Sequence, residues 1–186
     1  MVKTLSSMLP LGTIAPEFEL YNPVSNQKET LQSHRGQVGT LIMFICNHCP
    51  FVKHITAELA RLGHEYPAKG ISVIAINAND VKTYPDDSPE NMAEECRSHD
   101  YTFPYLFDET QQVAKAYRAE CTPDFFLFDS ELACVYRGQL DDSRPGNNIE
   151  VTGSDIRAAL EALISGRDIS PEQKPSMGCN IKWKNG

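Results

Sequence analysis

Cys46 and Cys49 stand two residues apart in the run Cys46-Asn47-His48-Cys49. Two thiols at that spacing, at the start of a helix, lie within one turn and can close a small disulfide ring. The same placement acidifies a thiol, because unpaired backbone N–H groups and the positive end of the helix dipole favour the thiolate. Such sites bring a cysteine pKa from about 8.5 to roughly 3.5–7.5. The chemistry this points to is dithiol–disulfide exchange. Cys46, expected at the exposed end of the preceding strand, is the attacking thiol, and Cys49, inside the first turn, resolves the mixed disulfide. His48, when protonated, favours the thiolate further and makes the pair more oxidising.

Half of a zinc site is the competing reading of the same residues, with His48 and His54 as further ligands. No second Cys-x-x-Cys pair and no histidine pair at finger spacing follows. Neither usual closed structural site is therefore available nearby in sequence. An inert pair is the third reading.

The elements that must position the pair are legible on both sides of it. Gly39 to Ile45 is a short continuous apolar run, as expected of a strand buried on both faces of a largely parallel sheet. Val52, Ile55, Leu59, Leu62 and Tyr66 then recur at steps of three and four, an amphipathic helix closed by Pro67 and Gly70. Ile71 to Ile76 reads as a second buried strand, so the three segments form a βαβ unit with the cysteines at its first junction.

Ser88-Pro89-Glu90 has the form of a helix cap followed by proline. A further helix capped by Asp108 or Thr110 carries Val113, Ala114 and Tyr117. After Cys121-Thr122-Pro123, the run Phe125 to Phe128 suits a buried strand that pairs with Leu132 to Tyr136 across Asp129-Ser130-Glu131. Thr152-Gly153-Ser154-Asp155 reads as a capping box before a last helix that Gly166 ends. From Arg167 onward apolar residues are scarce, and residues 166–186 are expected to be a tail that is mobile or packs only locally.

A chain of 186 residues fits one domain, 1–186, with a core over about 11–165. Seventeen basic and 25 acidic residues give a formal charge of −8 without a basic cluster, which argues against nucleic acid as a partner. No apolar stretch approaches the length of a membrane span, and residues 1–9 lack the hydrophobic region of a secretory signal. Six cysteines, four of them widely scattered, are not a disulfide framework, so a reducing, cytoplasmic setting is expected. Asp86-Asp87 and Asp141-Asp142 lie in turn-rich segments and are read as solvated carboxylates.

The order strand, Cys-x-x-Cys, helix, strand and later Thr122-Pro123 before a strand resembles the thioredoxin-like superfamily. Leu11-Gly-Thr-Ile-Ala-Pro16-Glu-Phe18-Glu-Leu20 is similar to the opening segment of redoxins related to alkyl hydroperoxide reductase. Cys46-Asn-His-Cys49-Pro50-Phe-Val, Tyr84-Pro85-Asp-Asp-Ser88-Pro89-Glu-Asn-Met92, Cys121-Thr-Pro-Asp124 and Gly178-Cys179-Asn-Ile-Lys-Trp183 together resemble a peroxiredoxin-like thioredoxin family. The resemblance covers nearly the whole chain. It implies an α/β thioredoxin-like fold, a central mixed β-sheet flanked by helices, with an N-terminal redoxin extension. It also implies a cis proline at Pro123 beside the cysteine pair, with Thr122 offering backbone groups to an extended substrate. No organic cofactor is implied; the partners would be protein or small-molecule disulfides and a thiol reductant. Asn47 departs from the glycine or proline usual at its position.

Peroxiredoxins carry Pro-x-x-x-Thr-x-x-Cys. Counting back from Cys49 puts Cys46 at the threonine position and Ile42 at the proline position, while counting from Cys46 gives Met43 and Gly39. Neither cysteine has the peroxide-orienting neighbour, and Arg118 or Arg137 would have to supply positive charge. Thiol peroxidase activity is thus the alternative to disulfide exchange, and a redox-inactive adaptor on the same fold is a third class. Cys121 and Cys179 are candidate additional redox thiols. Inert packing is the plainer account of Cys121, and a surface thiol in a tail that of Cys179.

Overall fold

The computed structural model describes residues 3–184. Its strands are β1 (Lys3–Leu5), β2 (Glu19–Asn22), β3 (Gln27–Thr30), β4 (Gly39–Phe44), β5 (Ile71–Asn77), β6 (Tyr105–Phe107), β7 (Cys121–Thr122), β8 (Asp124–Asp129), β9 (Cys134–Gly138) and β10 (Met177–Asn180). The helices are α1 (Pro50–Glu65), α2 (Pro89–Ser98), α3 (Gln112–Ala116) and α4 (Ser154–Ile164). Seven strands form a mixed sheet in the order β3-β2-β6-β5-β4-β8-β9, and β1-β10-β7 form a second, small sheet. Among the described residues no helix is long and apolar enough to cross a membrane.

β4 lies inside the large sheet, parallel to β5 and antiparallel to β8. All six of its residues are buried, as its unbroken apolar run requires when both faces are covered. Strand alternation divides the core accordingly. Leu41 and Met43 pack with Leu59 and Leu62 of α1 and with Ile156 and Leu160 of α4. Ile42 and Phe44 pack on the other face with Tyr117, Phe126 and Phe128. The α1 face ends at Cys46 and Cys49, so the thiols sit at the rim of a packed core.

Local chemistry accounts for most boundaries. Pro50 occupies the first position of α1, where its missing N–H costs nothing, and this leaves Cys49 as the capping residue. Ser88 caps α2 by accepting from the Asn91 amide, as expected. The β8–β9 turn lacks glycine, but the Asp129 carboxylate accepts from the Glu131 and Ala133 amides and holds it instead.

Four expectations need correction. Thr152 does not cap α4: Gly153 does so at φ +66°, and the Asp141 carboxylate accepts from the Thr152 and Gly153 amides at 2.8 and 2.7 Å. Asp141 is therefore a buried structural carboxylate rather than a solvated one. The third helix starts later than expected, at Gln112, although the Asp108 carboxylate does receive the Ala114 amide.

The fourth correction concerns the C-terminal segment, which does not pack only locally. Its strand β10 lies between β1 and β7, pairing antiparallel with both. The Ile181 amide donates to the Glu120 carbonyl, and the Lys182 amide to Asn79 Oδ1 at 2.8 Å. Sparse apolar content misled because the segment is held by backbone pairing rather than by a hydrophobic stripe.

Candidate active site at the Cys46–Cys49 pair

Cys46 lies two residues past β4, and Cys49 caps α1. Across from them runs the β7–β8 corner, where the Thr122–Pro123 peptide bond is cis, as the resemblance implied. Thr122 touches both thiols. Its hydroxyl is 3.1 Å from Cys46 Sγ, and its carbonyl oxygen is 3.2 Å from Cys49 Sγ. Sequence reasoning gave Thr122 a backbone role only; the structure adds the side chain.

Cys46 is not exposed. Its relative accessibility is 2%, against 0% for Cys49, so exposure does not distinguish an attacking thiol from a resolving one. The hydrogen bonds between them matter more. The two sulfurs ionise as a unit, because the thiol that keeps its proton donates it to the one that has lost it. The Cys46 hydrogen bond outweighs burial and, helped by a second from Cys179, brings Cys49 down to about 5. Cys46 is pushed well up by burial, by its bond to Cys49 and by the charge of Asp87. One thiolate forms readily, and the second proton is held.

His48 does not act on the pair alone. Its Nδ1 lies 2.7 Å from Asp87 Oδ2, and its ring stacks on Tyr84 with centroids 5.2 Å apart. Asp87, read from sequence as solvated, is completely buried. Burial opposes its ionisation, but hydrogen bonds from His48, from Asn79 Nδ2 and from the Asn47 amide hold its carboxyl below the usual range. The negative charge so fixed offsets the charge His48 would bring to the thiols. The signal for Asp87 was present in the Tyr84-to-Met92 motif, but an acidic turn residue looks the same whether it faces solvent or a buried site.

Asn47 owes its place to the same network. Its amide N–H reaches Asp87 Oδ1, its Nδ2 reaches the Asp86 carbonyl, and its Oδ1 accepts from the buried Tyr105 hydroxyl at 2.9 Å. Glycine or proline could make neither side-chain bond.

Cys46, His48 and Asp87 bring potential metal-ligating atoms within 4.8 Å of one another. Asp87 engages His48, Asn79 and Asn47 with its two oxygens, whereas Cys46 bonds to Thr122 rather than to His48 or Asp87, and His48 Nε2 is buried without a hydrogen-bond partner among the described residues. Cys121 is buried with its thiol toward the Pro123 carbonyl at 3.7 Å. Burial and the neighbouring Asp124 push that thiol far up, as befits packing. Cys179 does come to the pair, its sulfur 2.7 Å from Cys49 Sγ, which overturns the reading of it as a surface thiol. Arg137 is held elsewhere, by the Leu9 carbonyl and Gln173.

The sequence pattern of the AhpC/TSA family matches residues 11–137, from the N-terminal extension through the cysteine pair to β9. The chain belongs to the AhpC/TSA family. The fold is shared with solved structures. An uncharacterized conserved protein from Geobacillus kaustophilus is 57% identical, with a TM-score of 0.98 over 100% of this chain and 98% of that one. A hypothetical protein from Sinorhizobium meliloti 1021 is 46% identical, with a TM-score of 0.96 over 98% of this AhpC/TSA chain and 100% of its own. The thiol-disulfide oxidoreductase ResA of Geobacillus kaustophilus is 27% identical over 160 residues, 86% of this chain and 82% of its own length.

Proposed function

We propose that this AhpC/TSA-family chain is a thiol-disulfide oxidoreductase working through Cys46 and Cys49. The observation that carries the reading is the pair itself: two free thiols at the entry to α1, hydrogen-bonded to each other so that Cys49 is lowered to about 5, with the Thr122 hydroxyl against Cys46. The likeness to ResA supports the same reaction class.

Starting from protonated Cys46 and ionised Cys49, Cys46 attacks one sulfur of a substrate disulfide and passes its proton along the shared hydrogen bond to Cys49. The Thr122 hydroxyl donates to the Cys46 sulfur as charge develops there. The departing substrate thiolate then takes the proton from Cys49. Cys49 attacks Cys46 Sγ in the mixed disulfide, closes the Cys46–Cys49 bond and expels the second substrate sulfur. A thiol reductant reverses these steps, and no organic cofactor enters. A cytoplasmic setting belongs to the same proposal, on the ground that the cysteines do not form a disulfide framework.

In the deciding experiment, Cys46→Ser abolishes catalysed reduction of a protein disulfide, while Cys49→Ser accumulates a mixed disulfide at Cys46, seen as a mass adduct removed by reductant. Full exchange activity in Cys46→Ser overturns the proposal. The family match also favours thiol peroxidase chemistry, which stopped-flow mixing of the reduced protein with hydrogen peroxide separates. The missing threonine predicts a rate no faster than that of a free thiol at equal thiolate fraction.

A further inference from the structure

Strand β10 brings Cys179 to the far side of the pair. It pairs antiparallel with β7, Cys179 opposite Thr122, and the residue whose hydroxyl and carbonyl contact both thiols is thus also the pairing partner of Cys179. The approach depends on Gly178. At Gly178 any added Cβ would collide with the Thr122 carbonyl oxygen, so only glycine lets the strand come this close. The other edge of β10 is fixed by β1, through Lys3–Cys179, Thr4–Gly178 and Leu5–Met177. The segment beyond is tied to the same site: the Lys182 amide donates to Asn79 Oδ1, and Asn79 Nδ2 donates to Asp87 Oδ2. The result is a third sulfur, itself buried, 2.7 Å from Cys49 Sγ. A disulfide needs about 2.05 Å, a closure of well under one bond length.

We infer that Cys179 is a third redox thiol, which attacks Cys49 of the oxidised Cys46–Cys49 pair, forming a Cys49–Cys179 disulfide and releasing Cys46. This inference rests on the exchange function proposed above. Its step is an internal thiol–disulfide exchange with no net oxidation. Cys179 loses its proton and bonds to Cys49 Sγ; the Cys46–Cys49 bond breaks with its electron pair on Cys46; Cys46 takes up one proton. In the reduced protein Cys179 is pushed up to about 12, first by burial and then by its bond to Cys49 and the charge there. Oxidation of Cys49 removes the last two of these, which lowers the barrier to ionising Cys179 at the moment its target exists. The exchange moves the oxidised state to the C-terminal strand and returns Cys46 as a thiol beside the Thr122 hydroxyl, open to another disulfide.

The test is a disulfide map of the full chain. Wild type and Cys179→Ser are oxidised to equilibrium with a cyclic small-molecule disulfide, quenched in acid, alkylated without reduction, digested and analysed by mass spectrometry. In the wild type the expected result is a Cys49–Cys179 linked peptide together with alkylated Cys46. In Cys179→Ser, Cys46 alkylation should fall at least tenfold as all of Cys49 returns to Cys46. A wild-type map with Cys46–Cys49 and no Cys49–Cys179 overturns this inference alone, and needs no variant to fold. Absence of the Cys46–Cys49 link from both proteins overturns the exchange function and the inference with it.

Discussion

Asp87 Oδ2 lies 2.7 Å from His48 Nδ1, on a carboxylate with no solvent exposure. The contact fixes which imidazole nitrogen faces the acid and places a negative charge beside the thiols. Three groups donate to that carboxylate, and hydrogen bonds to buried charges contribute about 1.5–3 kcal/mol each.

Because the folded carboxyl is held below its ordinary value, its stabilisation is present above the unfolded pKa, about 3.9, and is lost as pH falls through the folded value. Asp87→Asn should therefore be less stable than the wild type at pH 7, by about 2 kcal/mol, with the gap closing below about pH 4. Urea denaturation at pH 7 and pH 3 measures it; an equal gap at both would assign Asp87 a packing role only.

The coupled thiols give the reduced protein a second pH signature. Absorbance at 240 nm should report one thiolate per chain half-formed near pH 5, and the next only well into the alkaline range. Cys49→Ser should remove the low step. A depressed thiol pKa stabilises the fold fully above the unfolded value of about 8.5 and not at all below about 5. Reduced protein should thus gain stability relative to oxidised protein across that window, a trend that melting curves at pH 5 and 8 would reveal.

Thr122 makes a sharper kinetic prediction. Its hydroxyl, 3.1 Å from Cys46 Sγ, donates to the sulfur on which charge develops. Thr122→Ala should slow exchange by about tenfold, corresponding to about 1.4 kcal/mol, and Thr122→Ser should restore most of the rate. If alanine and serine variants exchange equally fast, the hydroxyl is a bystander.

Away from the thiols, Glu58 on α1 is buried and bonded to Arg157 of α4 at 2.5 Å and to Arg61 at 2.6 Å. Arg157→Leu leaves Glu58 with only its exposed partner and should cost about 3 kcal/mol, since removing one side of a buried pair strands the other charge. Replacing Glu58 as well, as Glu58→Gln with Arg157→Leu, should recover part of that loss in thermal melts.

The sequence by itself determined the βαβ unit and the thiol pair at its junction. An unbroken apolar run, a 3.6-residue stripe and a proline directly after Cys49 are local instructions, readable without knowing what packs against them. The helix cap at Ser88 and the β8–β9 hairpin were legible for the same reason. Tertiary structure alone decided which side chains meet. Asp87 reaches His48 across 39 residues, Thr122 reaches Cys46 across 76, and Cys179 reaches Cys49 across 130. None of these separations leaves a periodic trace, because each contact is made by chain topology rather than by neighbours on one helix or strand. For the same reason β10 escaped detection: backbone pairing is blind to side-chain polarity, so a strand held by its edges can be written in residues that look like a tail. The thiols were given by the chain, but their burial, their shared proton and their third partner come from the fold.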